Sequence, residues 1–194
     1  MALTAGIGLI APVMAIWNDS LSIWENVTTG NLTGNVLFTK VHAEDNTLPH
    51  GGGWGTISTG IDDEIDNGDV KTDHKITIFI DQVRNKANWT LNSKIENHGT
   101  IPIRFLTPTV CSDDALDVSY QLPDQVIEPG KKGLDPGDAV EGQIRIDLLT
   151  AEAGIYNFQI EVKCIQWNAF NDNLGWWIDT LHIYGTVVVE PPPE

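Results

Sequence analysis

Tyr156-Asn157-Phe158-Gln159-Ile160-Glu161-Val162-Lys163-Cys164 decides the fold class. Its apolar side chains share one parity and its polar side chains the other. Successive side chains leave a strand on opposite faces, so a period of two means a strand with one face buried and one in water. The alternation recurs with Ile76, Ile78 and Ile80 against Thr77, Phe79 and Asp81, and with Ile144, Ile146 and Leu148 against Gln143, Arg145 and Asp147. Further strands are predicted over 34–41, 87–96, 101–106, 117–122 and 181–189. Trp89 falls at strand spacing with Leu91 and Ile95, which places it in the core. The turns Asn97-His98-Gly99, Glu128-Pro129-Gly130 and Asp135-Pro136-Gly137 separate strands with Pro, Gly or short polar residues. Helical character is confined to single turns near 111–116 and 170–175. About seven to nine strands of this kind predict an all-β fold, a jelly-roll-like antiparallel two-sheet sandwich.

The chain has 194 residues, 41% of them hydrophobic, enough for one domain with a sizeable core. Eleven Lys and Arg against 27 Asp and Glu leave a net charge of −16. That sign excludes a basic footprint for nucleic acid and disfavours an anionic lipid surface. Three parts are expected: an apolar N-terminal arm over 1–24, a β-sandwich over 25–190 and a Pro-rich tail over 191–194, which cannot pair in a sheet. Met1 to Ile16 carries no charge, yet is too short to cross a bilayer core of about 30 Å comfortably. It reads either as the remnant of a secretion signal, with Val13-Met14-Ala15 near the cleavage site, or as a retained arm that packs into a partner. Stable membrane insertion after export is not expected.

Signatures of catalysis are missing: there is no H-E-x-x-H, G-x-S-x-G or Walker loop, and no G-x-G-x-x-G after a strand. The chain is therefore read as a non-enzyme with no cofactor. His42, His50, His74, His98 and His182 are scattered without ligand spacing and read as surface or turn residues. The run Asp62-Asp63-Glu64-Ile65-Asp66-Asn67-Gly68-Asp69 reads as a solvated acidic loop within 60–73. Asp62, Asp63, Asp66 and Asp69 are weak calcium candidates, because calcium takes about six to eight oxygens and Ile65 breaks the EF-hand spacing. Among seven tryptophans, Trp54, Trp176 and Trp177 are the candidates for exposure, and they carry a rival reading as a glycan-binding surface module. Cys111 and Cys164 permit one disulfide, which would close a loop of about 50 residues and stabilise by ~3–4 kcal/mol. N-x-S/T at Asn18, Asn26, Asn31 and Asn88 supplies candidate glycosylation sites on an exported chain.

Several short motifs occur together. Ala15-Ile16-Trp17-Asn18-Asp19-Ser20 is followed by Thr29-Gly30-Asn31-Leu32, and Ile95-Glu96-Asn97-His98-Gly99 forms a strand–turn. Leu134-Asp135-Pro136-Gly137-Asp138 precedes strands that lead to Gln166-Trp167-Asn168. Over roughly 15–189 the chain resembles the TasA/camelysin family of extracellular fibre subunits, including archaeal bundling pilus subunits. The resemblance implies a jelly-roll subunit that polymerises with copies of itself by donor-strand complementation, in a cell-surface filament that can bundle with its neighbours. The donor residues would be Ile16, Trp17, Leu21, Ile23 and Trp24, with Ile7, Leu9 and Ile10 if the first fifteen residues are retained. Asn18 lies inside that donor, so a glycan there must point away from the groove. Metalloprotease activity, attributed to some camelysin relatives, is an alternative for which no zinc motif is present.

Overall fold

The computed structural model describes residues 36–43, 54–66, 68–129, 138–167 and 179–191. Ten strands run through them: β1 (Val36–Ala43), β2 (Trp54–Asp66), β3 (Asp69–Val83), β4 (Asn88–Asn97), β5 (Ile103–Phe105), β6 (Thr109–Ser112), β7 (Leu116–Gln121), β8 (Ala139–Leu148), β9 (Gly154–Gln166) and β10 (Asp179–Val189). Among the described residues there is no helix. One sheet has the order β1-β4-β8-β7. The other runs β2-β3-β10-β9-β5, with β6 also paired to β9.

The alternating stretches form the facing inner surfaces. Trp89, Leu91 and Ile95 of β4 and Ile144 and Ile146 of β8 are buried in the first sheet. Ile76, Ile78 and Ile80 of β3, Ile160 and Val162 of β9, and Leu181 and Ile183 of β10 are buried in the second. All belong to one hydrophobic cluster, so the molecule is a β-sandwich with a single core. The pairing is antiparallel with one exception: β10 runs parallel to β3, with Ile183 beside Ile76 and Val187 beside Ile80.

Where alternation is lost, the structure differs from the sequence expectation. Segment 60–73 is not a loop. It lies in a long hairpin of β2 and β3 that closes with Asp66 opposite Asp69. Gly68 has φ +91°, the left-handed conformation that an Asn-Gly turn needs. A short strand, β6, occupies part of 111–116, where a helical turn is expected, and is followed by a turn at 114–115. Asn97 makes the predicted turn through its side chain. Its Oδ1 accepts from Gly99 N at 2.9 Å, and its Nδ2 donates to the carbonyls of Ile101 at 2.9 Å and Ile127 at 3.0 Å. The turns 128–130 and 135–137 and the segment 170–175 lie wholly or partly outside the described residues, as does most of the tail.

Candidate functional site: an open edge and its groove

Every sandwich leaves strand edges whose backbone groups need covering. The β1 edge is kinked by a bulge between Phe38 and Lys40, and β1 packs against β2 and β3. The β2 edge is bulged between Asp62 and Glu64 and carries carboxylates. On the opposite side the second sheet ends in two pieces. β5 pairs with β9 at residues 164–166 and β6 pairs with it at residues 158–161. Between them Thr107-Pro108 leaves the sheet after a last bond from Leu106 N to the Lys163 carbonyl at 2.8 Å, and Pro108 has no N–H for a ladder. Facing this break is β7, which among the described residues pairs only with β8, in unbroken register from Leu116–Leu148 to Gln121–Gln143. Its first residue is tied back through Leu116 N to the Asp113 carbonyl at 2.9 Å. Asp117 to Gln121 then run as an edge without a bulge or proline.

A groove of about 860 Å³ opens beside the end of that edge. One wall is Arg104 to Pro108 and the other is Tyr120 to Asp124. Phe105, Leu106, Leu122 and Pro123 give it an apolar part within a mixed surface, and Arg104 and Asp124 place one charge of each sign there. Tyr120 is buried and fixes the inner end of the groove. Its hydroxyl lies 2.7 Å from Ser93 Oγ on β4, so its ring crosses β8 at Gly142, where a Cβ would stand 2.4 Å from the hydroxyl. Burial pushes the Tyr120 phenol up, against a smaller downward pull from Ser93, so it stays protonated. The arrangement is suited to receiving an extended apolar segment that adds to β7, with backbone bonds along the edge and side chains in the groove.

The sequence-predicted residues are dispersed. The donor candidates Ile7, Leu9, Ile10, Ile16, Trp17, Leu21, Ile23 and Trp24 lie outside the described residues, as do Asn18, Asn26, Asn31, Trp176 and Trp177. Asn88 is exposed at the first position of β4, a geometry open to a glycan. Trp54 begins β2, and Asp66 and Asp69 flank the hairpin turn, but their side chains are outside the description. Asp62 and Asp63 serve the hairpin itself: Asp62 Oδ2 accepts from Thr77 Oγ1 at 2.9 Å, and Asp63 Oδ1 accepts from Asp73 N at 3.1 Å. Among the described residues no group of three or more potential ligands assembles for a metal.

The disulfide expectation is corrected. Both cysteines are free, Cys111 exposed and Cys164 buried. Cys111 of β6 stands opposite Gln159 of β9, five residues from Cys164, which is about 17 Å along a strand. A disulfide needs Cα atoms within about 7 Å, and these side chains also leave their sheet on opposite faces. Cys164 Sγ instead donates to the Asp179 carbonyl at 3.3 Å, and burial holds its thiol well above the usual range.

The reading of all five histidines as surface or turn residues fails at His74, which is fully buried. It belongs to a polar cluster with Lys71 and Asp179. Lys71 Nζ lies 3.4 Å from Asp179 Oδ1, and His74 Nε2 lies 3.2 Å from Asp179 Oδ2. Sequence reading also missed the groove. Its signal is Leu106-Thr107-Pro108 and Leu122-Pro123, apolar residues beside prolines in connecting segments.

No family model matches the chain, and no curated protein matches it. Among solved structures, a FixG-related protein from Vibrio parahaemolyticus is similar at 12% identity and a TM-score of 0.34, over 70% of this chain and 97% of that one. PapD-like domain 7 of human CEP192 is similar at 13% identity and a TM-score of 0.35, over 77% of this chain and 99% of that one. CfaE, the adhesive subunit of the CFA/I fimbria of enterotoxigenic Escherichia coli, is similar at 12% identity and a TM-score of 0.33, over 59% of this chain and 46% of that one. Likenesses this distant say nothing of what the chain does.

Proposed function

We propose that the chain is a structural subunit of an extracellular filament with no chemistry of its own, assembled by addition of residues 1–24 of one copy to the β7 edge of the next. The observation that carries this reading is the edge itself. β7 has no bulge, no proline and no strand on its outer side among the described residues, and it ends beside a groove that offers Phe105, Leu106, Leu122 and Pro123. The occupant is argued from the same chain. Residues 1–24 hold the apolar Ile7, Leu9, Ile10, Ile16, Trp17, Leu21, Ile23 and Trp24, with Leu21 and Ile23 alternating with Ser20 and Ser22 as an added strand requires. Burying each large apolar side chain contributes about 1.5–3 kcal/mol, so three or four suffice for a stable joint before the entropy of ordering is subtracted. A head-to-tail contact of this kind does not close on itself and generates a fibre. The resemblance to TasA/camelysin subunits supports the reading, and the charge of −16 would keep such fibres soluble.

Electron microscopy of the purified full-length chain beside a version lacking residues 1–24 tests this. Filaments from the first and monomers alone from the second are expected. Leu106→Glu with Leu122→Glu, in a chain whose circular dichroism is unchanged, should also stop polymerisation, and a peptide of residues 15–25 should bind the truncated chain. Filaments from the truncated chain would refute the mechanism.

A further inference from the structure

We infer that the start of β1 is held by a proton-dependent clamp in which His74, as an imidazolium, and Lys71 together grip Asp179, which in turn holds the Val36 amide. The geometry requires the charge. His74 Nδ1 lies 2.6 Å from the Thr72 carbonyl, and Nε2 lies 3.2 Å from Asp179 Oδ2. Both neighbours are acceptors, and a neutral imidazole has only one N–H to give. Removing either ring proton sets a nitrogen lone pair against an oxygen lone pair in a place with no water, since His74 and Asp179 are both 0% exposed.

Local backbone geometry makes the clamp. Between Asp62–Lys75 and Glu64–Lys71 the register shifts, so 72–74 on β3 face only Asp63 on β2. Asp73 has φ +54° at the centre of this bulge. The extra residues reset the alternation and turn both Lys71 and His74 inward, at 7% and 0% exposure. Asp179 enters from β10, and its Oδ2 also receives Val36 N at 3.4 Å, the first described amide of β1. From β9 the neighbouring group is the Cys164 thiol, which stays neutral and donates to the Asp179 carbonyl. From β2, Asp63 is engaged with the Asp73 amide. Lys71 keeps the Asp179 carboxylate partnered when the His74 proton leaves.

The direction follows. Burial and, to a smaller extent, the Lys71 charge push the His74 imidazole down, but the Asp179 and Thr72 hydrogen bonds and the Asp179 charge outweigh them and raise the group above 6.5. A raised pKa means that the stability is fully present below 6.5 and is lost as pH rises through the folded value. The clamp is therefore closed in acid and loosens at the root of β1 as pH rises through the folded value, whether or not the chain polymerises.

The test uses the full chain labelled with nitrogen-15. The His74 ring nitrogens and the protection of the Val36 and Ile144 amides are followed from pH 5.5 to 9. Both His74 nitrogens should carry protons at pH 6.5, and one should be lost as pH rises further. Protection at Val36, corrected for intrinsic exchange, should fall across the same step by about tenfold for each unit that His74 stands above 6.5, with Ile144 unchanged. In His74→Gln the Val36 protection should no longer vary with pH. A single neutral tautomer at pH 6.5, or a His74 titration that leaves Val36 protection flat, overturns the inference, and both are read on the unaltered chain.

Discussion

Gly142→Ala is a change of one methyl group whose cost follows from the floor of the groove. A Cβ at residue 142 would lie 2.4 Å from the Tyr120 hydroxyl and 2.6 Å from two atoms of its ring. The ring cannot stay, and neither can its 2.7 Å bond to Ser93. Overpacking of this kind costs about 1–3 kcal/mol, and stranding a buried hydroxyl about 1–3 kcal/mol, so we expect a loss of about 2–6 kcal/mol. Tyr120→Phe keeps the ring and leaves Ser93 Oγ within 3.4 Å of the Gly142 carbonyl, so its loss should be only about 1 kcal/mol. Urea unfolding at unchanged m-value measures both. The decisive comparison is Gly142→Ala in a Tyr120→Ala background. With the ring gone, alanine replaces a glycine in a strand interior, which is worth about 0.5–1 kcal/mol in its favour. The penalty should vanish or change sign. A penalty of the same size in both backgrounds would show that the cost does not come from Tyr120, and the account of the groove floor would be wrong.

Thiol chemistry separates the two cysteines. Cys111 should react with a maleimide in the native chain with no reductant, whereas Cys164 should react only after unfolding; a native chain with no titratable thiol would contradict the free pair. Acid sensitivity should appear at Glu96. Burial raises its carboxyl, but hydrogen bonds from Lys94 at 2.7 Å, His98 at 3.0 Å and Thr39 at 3.3 Å, with the charge of Lys94, bring it below 4.5. A lowered pKa gives stability that is present above 4.5 and lost as pH falls through the folded value. Glu96→Gln should therefore flatten the decline in stability below pH 4.5, and an unchanged slope would remove Glu96 from the account.

The all-β class and the core were legible because they depend on a local rule. β8 alternates throughout and β9 alternates from Tyr156 to Cys164, so parity alone puts Ile144, Ile146, Phe158, Ile160 and Val162 inside. Trp89 followed the same rule and is 2% exposed. The hairpin of β2 and β3 was not legible. Ile57, Ile61 and Ile65 recur at a spacing of four rather than two, and the acidic run hid the closure at Asp66 and Asp69. Ile65 and Val70, which pair across the hairpin near that turn, are 75% and 65% exposed, so burial did not select them and no apolar pattern marks them.

The same contrast explains why neither proposed device could be read beforehand. Alternation assigns a face only while register is unbroken, and a single bulge reverses every assignment beyond it. With Ile76, Ile78 and Ile80 facing inward, parity puts His74 inside but sends Lys71 to solvent; the bulge at 72–74 brings both to Asp179. Asp179 itself reads in sequence as one polar residue ahead of Leu181. It becomes the anchor of the clamp only because β10 lies parallel beside β3, which sets it against residues more than a hundred positions earlier. The groove likewise exists because the β5–β6 edge breaks at Pro108 opposite β7, a juxtaposition of two sheets rather than a property of either segment. In a sandwich the strands' inner faces are committed to the core. Binding and switching therefore fall to edges, bulges and strand ends, the places where a period-two reading has least to say.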